Sequence, residues 1–302
     1  MSIKKLFSLS LLCLVTFACN QNASEDAKEH IITEEVQDIN EEKPLTPKQE
    51  EKVERKTGNA KDVMLSLYVG VFRAKKMNKQ KNPMEENKIS LSVDSISSDV
   101  LYGHSVVAGN SRSFSGKFIK ENGLYIAVCK EPGDNKYDGV FTFTLNPTDE
   151  SIQGSWKSND KNLPVTERTF DLKKVEFKYN PHQELGEISA EVYQSSNSNS
   201  DEYERITPDA GKINASTTLL KKEDVENMYK RDLEVMRNTI YARHGYSFKN
   251  RQMRSFFDNY VDWYIPVSTD VSKDLTEIEK KNIELIKRYE KHAEAYYDVY
   301  GR

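Results

Sequence analysis

The sequence lacks the residue groups on which most metal-dependent, redox and nucleophilic sites depend. Only three cysteines and five histidines occur among 302 residues, and they do not follow the spacing of a metal site. There is also no glycine-rich phosphate loop, no closely spaced cysteine pair and no Gly-x-Ser-x-Gly elbow for a nucleophilic serine. We therefore expect no metal, no cofactor and no catalytic residues, in a protein that acts by binding rather than as an enzyme.

An excess of charge of one sign is missing as well. Lysine and arginine number 44 against 48 for aspartate and glutamate, which leaves a net charge of −4. Binding of nucleic acid needs a concentrated basic face, so we expect no nucleic-acid partner. Hydrophobic residues make up 37% of the chain and charged residues 30%, which predicts extensive contact with water.

No apolar run is long enough to cross a membrane as a helix. The most apolar stretch, residues 6–17, follows Lys4 and Lys5 and is shorter than the roughly 20 residues that a spanning helix needs. It has the length and flanks of a signal peptide. The stretch ends at Ala18-Cys19, which resembles the bacterial lipobox, although Thr16 stands where leucine is usual.

This pattern predicts a signal peptide at residues 1–18 and a lipid, such as palmitate, on Cys19. The protein would then be a lipoprotein attached to a membrane of the bacterial cell envelope, at the outer membrane. Residues 19–60 have no aromatic residue and little apolar periodicity, so they predict a flexible stalk. Glu25 and Asp26 resemble the surface-export signal of Bacteroidota lipoproteins. An ordinary secretory signal with a chance cysteine is the alternative.

A period of two governs residues 61–180. Gly109-Asn110, the loop 121–123 and the loop 132–135 supply hairpin turns, because Gly and Asn tolerate positive φ. We predict eight short strands, at residues 65–72, 89–96, 100–108, 113–119, 124–129, 140–145, 152–156 and 166–177. Such a series indicates a small antiparallel up-and-down barrel. Cys129 falls in an apolar strand and is predicted to be a core residue.

This segment weakly resembles lipocalins and avidins, whose Gly-x-aromatic signatures are similar to Gly70-Val71-Phe72 and Gly154-Ser155-Trp156. The resemblance implies a carrier of a small apolar ligand if the barrel is hollow, whereas an interior filled by side chains would exclude that function. His104, Asn110 and Arg112 are placed either at the barrel mouth or simply in hairpins.

The remainder divides into a polar linker at 181–215 and a helical domain at 216–302. The linker includes the run 195–200, which is composed of serine and asparagine. In the helical domain, apolar residues recur near a period of 3.6 up to Gly245, a glycine typical of a helix end. Thr276 and Glu279 form a capping-box pattern before a long amphipathic stretch. The predicted fold class is α+β multidomain, a β-barrel followed by a small all-α domain.

The run Tyr241-Ala242-Arg243-His244-Gly245 is identified as the motif of the YARHG domain. The similarity covers about 80 residues, and the other residues that carry it are Leu233, Phe248, Phe257, Trp263, Tyr264, Leu275, Glu279, Asn282 and Ile283. Tyr229 departs from the family, which more often has a small helix-capping residue there. The resemblance implies a small helical module of extracellular bacterial proteins, commonly lipoproteins, with suggested binding to cell-wall material.

Two interpretations of the motif residues stand side by side. Arg243, His244, Trp263 and Tyr264 are candidates for a cleft that binds an anionic component of peptidoglycan or another envelope protein. Arg237, Asn238, Tyr241 and Asn282 are candidates for a hydrogen-bonded scaffold, to which Arg243 and His244 would also belong in the second interpretation. A cell-wall hydrolase with His244 as the base is the remaining alternative.

Overall fold

A closed barrel of eight antiparallel strands forms the first half of the folded chain. The structure is a computed structural model that describes residues 64–186 and 206–296. The predicted signal peptide, Cys19 and the stalk lie outside the described residues. The strands are β1 (Leu67–Met77), β2 (Glu86–Ser97), β3 (Val100–Val107), β4 (Asn110–Glu121), β5 (Leu124–Lys130), β6 (Gly139–Asn146), β7 (Ser151–Ser158) and β8 (Val165–Val175).

Each strand pairs with its neighbours in sequence, and β1 also pairs with β8 to close the barrel. The predicted eight-stranded up-and-down topology is therefore confirmed. Glycine is required where β7 lies closest to its neighbour, because a Cβ on Gly154 would lie 2.3 Å from the carbonyl oxygen of Thr142. One turn differs from the prediction by a residue: Ala108 and Gly109 have positive φ, and Asn110 already begins β4.

The barrel interior is packed at one end and open at the other. The packed end is filled by buried side chains from six strands, β1 to β3 and β6 to β8: Tyr68, Leu91, Leu101, Leu145, Ile152 and Leu172. Cys129 belongs to the same core, where burial raises the pKa of its thiol to about 12. Its prediction as a core residue is confirmed. Above this core lies an aromatic layer, in which the rings of Phe72 and Trp156 meet edge to face at 5.9 Å.

The second half of the folded chain is helical, as predicted. Its helices are α1 (Lys222–Val225), α2 (Lys230–Arg243), α3 (Arg251–Tyr260) and α4 (Glu277–Ala295), preceded by a 3-10 helix at Pro208–Gly211. Thr276 caps α4 through the predicted box, since its side chain accepts from Glu279 N while the Glu279 carboxylate accepts from Thr276 N. Two apolar clusters, on either side of α2, form the core of this domain.

Both described ends of the predicted linker pack against the helices. The backbone N and Oγ1 of Thr207 each donate to the carboxylate of Asp232 in α2, at 2.6 Å. Ile206, Ala210 and Ala215 are buried in the helical core. These isolated apolar residues in a polar segment produce no periodic signal, which explains why the sequence places the start of the domain later than the structure does.

The helical domain also rests directly on the barrel. The backbone N of Lys88 in β2 donates to Asp258 in α3 at 2.9 Å, and its Nζ donates to the carbonyl oxygens of Val261 and Tyr264. At the β3–β4 turn, Gly109 N donates to Ser247 Oγ at 2.9 Å. Across residues 64–186 and 206–296, no helix has the length and apolar character that crossing a membrane requires.

Gly245 ends α2 with a φ of +74°, and an added Cβ would lie 2.3 Å from Val267 Cγ2. We predict that Gly245→Ala lowers the free energy of unfolding by about 2–4 kcal/mol, from backbone strain and overpacking together. Gly123→Ala is the matched control, because Gly123 also has positive φ (+81°) but an added Cβ there would meet nothing within 4 Å. Urea unfolding of both variants measures the difference, and equal losses would contradict the packing argument.

Candidate functional site

His244 of the sequence motif takes part in a buried polar cluster. Its Nε2 lies 2.8 Å from Glu279 Oε2, and its ring stacks on Tyr179 with 4.1 Å between centroids. The Tyr179 hydroxyl donates to the other oxygen of the same carboxylate, at 3.0 Å. The His244 side chain is only 4% exposed. The cluster therefore ties the end of α2 to the start of α4 and to the segment that leaves the barrel.

The carboxylate of Glu279 is the centre of this cluster. Burial raises its pKa, but hydrogen bonds from His244, from Thr276 N and from Ser216 outweigh burial and hold the pKa below the usual range. A depressed pKa means that the folded state prefers the ionised form. The motif histidine is thus held by an anion rather than directed toward solvent.

Arg243 and Trp263 line an open cleft of about 470 Å³ beside this cluster. Arg243 donates from Nε and Nη2 to the carbonyl oxygen of Gln183, at 2.9 and 2.7 Å. Trp263 donates from Nε1 to the carbonyl oxygen of Glu184, at 2.6 Å. Two of the four predicted binding residues therefore share a cleft, although both donate to the backbone of one segment.

The other two predicted binding residues do not reach the cleft. His244 lies in the buried cluster, and Tyr264 is buried in the helical core with its hydroxyl donating to Tyr246 O at 2.8 Å. Burial raises the pKa of Tyr264 well above its ordinary value. The polar atoms of both side chains form hydrogen bonds within the protein, and these long-range contacts cannot be predicted from the sequence alone.

The four predicted scaffold residues make contacts within the helical domain. Arg237 Nε donates to Glu290 Oε1 at 2.8 Å, which joins α2 to α4. Asn238 donates to the carbonyl oxygen of Glu234 one turn earlier, and Tyr241 packs against both apolar clusters. Asn282 is fully buried; it donates to the carbonyl oxygens of Ala215 and Thr218 and accepts from Leu220 N.

A family comparison decides the identity of this region. Residues 210–291 match the family model of the YARHG domain. The chain contains a YARHG domain. Its match begins at residue 210, inside the segment predicted as a linker, in agreement with the buried Ala210 and Ala215. No curated protein matches the chain.

A second cavity, of about 400 Å³, opens at the end of the barrel that faces α3 of the YARHG domain. Its floor is the aromatic layer, which includes Phe72, Phe141 and Trp156. The connections β1–β2, β3–β4, β5–β6 and β7–β8 surround it, and the residues that these connections contribute are Pro83, Met84, Ala108, Glu131, Tyr137, Leu163 and Pro164. The cavity is thus apolar at its base and open above.

Polar and charged side chains surround the apolar base. They are Asn87, Ser105, Asn110, Arg112, Glu131, Arg168 and Arg254. Arg112 is paired with Asp134 and Asp138. Burial raises the pKa of the Asp138 carboxyl, but hydrogen bonds from Arg112 and from the backbone N of Gly133 and Asn135 outweigh burial and hold this pKa below its usual range. Arg112 and Asn110 do lie at the mouth, whereas His104 lies outside it and contacts Asp94 at 2.7 Å.

The sequence contains a signal for two of these charged residues that the motif analysis did not include. Arg168 lies two residues before Phe170 and four before Leu172 along β8, and Glu131 lies two residues after Cys129 of β5. Each therefore shares the register of inward-facing residues. An ionisable residue in such a register predicts a polar group inside the barrel. Arg254 has no comparable signal, because its position depends on how α3 docks.

We predict that Glu279→Gln destabilises the protein by about 3 kcal/mol at pH 7, since it removes the charged partner of a buried pair. The folded pKa of Glu279 lies below its ordinary value of 4.5, so its ionised form contributes stability above that value. This contribution is lost as the pH falls through the folded pKa. The difference between wild type and variant should therefore shrink below about pH 4.

Urea unfolding at pH 7 and at pH 3.5 measures this difference. Glu277→Gln is the matched control, because Glu277 lies in the same turn of α4 and is exposed to solvent. The control should lose much less stability than Glu279→Gln at pH 7, because the contact of Glu277 with Lys280 is exposed to solvent. A Glu279→Gln loss of the same size at both pH values would contradict the assignment of this carboxylate as an ionised brace.

Proposed function

We propose that the protein is a lipid-anchored lipoprotein of the bacterial cell envelope that acts by binding, with the cavity at the barrel mouth as its ligand site. The observation that carries the proposal is an open cavity of about 400 Å³ with an aromatic floor and a polar rim. Pockets for small molecules have this character and this order of size, roughly 300–1,000 Å³.

The packed lower half of the barrel restricts the ligand. Side chains such as Tyr68, Leu91 and Leu172 are packed into that half, with exposures of 1% or less. A ligand therefore inserts only as far as the aromatic layer formed by Phe72, Phe141 and Trp156. This arrangement supports a shallow site at the mouth rather than a carrier with a hollow barrel.

The proposed location rests on the N-terminal sequence and on the resemblance of the YARHG domain to modules of extracellular proteins. A lipid on Cys19 would attach the chain to the outer membrane, and residues 19–60 would separate the membrane from the folded part. Binding without catalysis is supported by His244, whose side chain is enclosed by Tyr179 and Glu279. A general base needs access to the proton that it removes.

The cavity predicts binding of a neutral apolar probe. We expect N-phenyl-1-naphthylamine to fluoresce on binding to the full mature chain, and Val107→Phe to abolish binding because Val107 lines the cavity. Val128→Phe is the matched control, since Val128 is 47% exposed on the outside of the barrel. Fluorescence titration of the wild type and the two variants measures probe binding. Unchanged binding by Val107→Phe would show that the probe does not bind in the cavity.

The cleft of the YARHG domain is a second candidate site, because Arg243 and Trp263 line it together. If it binds cell-wall peptidoglycan, Trp263→Ala in the full mature chain should lose co-sedimentation with purified sacculi. Tyr260→Ala serves as the control, since Tyr260 is an exposed aromatic residue of the same domain. Equal retention of both variants would exclude Trp263 from a wall site, and soluble fragments released by the wild type would indicate a hydrolase instead.

A further inference from the structure

Two arginines from different domains converge at the barrel mouth. Arg168 in β8 donates from Nη2 to the carbonyl oxygen of Met84, at 3.0 Å. Arg254 in α3 approaches the sulfur of the same residue, with 2.9 Å between its Nη2 and Met84 Sδ. Both line the cavity. The barrel and the YARHG domain thus each contribute one guanidinium group to the same rim.

Arg168 has no anionic partner among the described residues. It is 9% exposed, and its hydrogen bonds go to the carbonyl oxygens of Phe72, Glu85 and Met84. These bonds use three of its five N–H donors. Burial and the nearby charge of Arg254 lower its pKa to about 10, so it stays charged at neutral pH. A buried charge without a counterion is costly.

Arg254 is only partly compensated as well. It donates from Nη1 to the carbonyl oxygens of Phe248 and Lys249. Burial lowers its pKa, an effect that the carboxylate of Asp258 opposes. That carboxylate already accepts the backbone N of Lys88. The second guanidinium at the rim therefore shares its acidic neighbour with another contact.

Negative charge at the cavity is weak. Glu131 is the carboxyl group among the described residues that line it, and it accepts from Gly139 N at 2.7 Å and from Trp156 Nε1 at 3.0 Å. Burial raises the pKa of Glu131, although these two donors oppose the effect. The rim thus has the two guanidinium groups of Arg168 and Arg254 but only this one carboxyl group among the described residues that line the cavity.

The cavity also contains an amide with unused capacity. Asn87 lines it and is 6% exposed, and its Oδ1 accepts no hydrogen bond from the described residues. A buried acceptor without a donor is destabilising. It can be satisfied by a donor on a ligand, such as a hydroxyl or amide group, which would be distinct from any anionic group held by the two arginines.

We propose that the ligand of this cavity is an amphiphilic anion, with its negative group between Arg168 and Arg254 and its apolar body against the aromatic floor. The inference rests on the proposed function and adds to it the chemical class of the ligand. It also gives the YARHG domain a direct part in binding, because α3 supplies one of the two cations.

Calorimetric titration of the full mature chain with decanoate and with decanol tests this assignment. The two probes share an apolar chain and differ in charge. We expect decanoate to bind at least about tenfold more tightly, since only its carboxylate can form charge-assisted hydrogen bonds with the two guanidinium groups. Arg254→Gln should weaken decanoate binding by about tenfold and leave decanol binding within about twofold. Arg254→Lys should retain part of the preference for the anion.

Arg251→Gln is the matched control, because Arg251 lies one turn earlier on α3 and contacts Asn82 outside the cavity. It should not alter binding of either probe. Equal binding of decanoate and decanol to the wild type, or equal losses in Arg254→Gln, would overturn the anion site while the cavity remains a binding site. Failure of both probes where the neutral naphthylamine binds would overturn it too. Failure of all three would remove the proposed function itself.

Discussion

The junction between β2 and α3 fixes the arrangement at the barrel mouth. Lys88 donates from its backbone to Asp258 and from its ammonium group to two carbonyl oxygens of the YARHG domain, so one residue makes three hydrogen bonds between barrel and helices. Burial lowers the pKa of Lys88, although Asp258 and Asp262 oppose the effect. Removing the Asp258 carboxylate would leave the backbone N–H of Lys88 without this acceptor, and removing the Lys88 ammonium group would take a donor from two carbonyl oxygens, which is destabilising where these groups are buried. Because this contact holds α3 in place, Arg254 stands over the cavity.

The family motif, residues 241–245, does not line the cavity at the barrel mouth but stabilises the helical domain. Its histidine braces α2 against α4 through Glu279, its glycine ends α2 where a side chain would not fit, and its arginine fastens the segment around Gln183. A domain of about 80 residues has a small core, and internal polar braces then decide whether its helices keep one arrangement. In this account the motif builds a rigid support, and the support positions α3. The proposed ligand site lies where that support meets the barrel.

Much of the fold follows from local patterns in the sequence, and much of the site does not. Alternating strands, hairpin turns such as Asn122-Gly123, the capping box at Thr276 and the stop at Gly245 are local signals, and the structure has each of them. Burial of Ile206 and Ala210 depends on docking against α2, and no periodicity announces it. The meeting of Arg168 with Arg254 depends on barrel closure and on the position of α3, which are both long-range. Of these two arginines, only Arg168 has a position that the sequence predicts, through its inward register.

The barrel and the YARHG domain are proposed to form one ligand site at their junction. Native-state hydrogen exchange of the full chain, with and without saturating decanoate, tests whether they do. Slower exchange is expected on both sides of the junction, in residues 84–88 of the barrel and in α3 (Arg251–Tyr260), with little change at the packed end around Leu145. Protection confined to the barrel would contradict the shared site. Protection confined to the cleft around Trp263 would place binding in the helical domain alone.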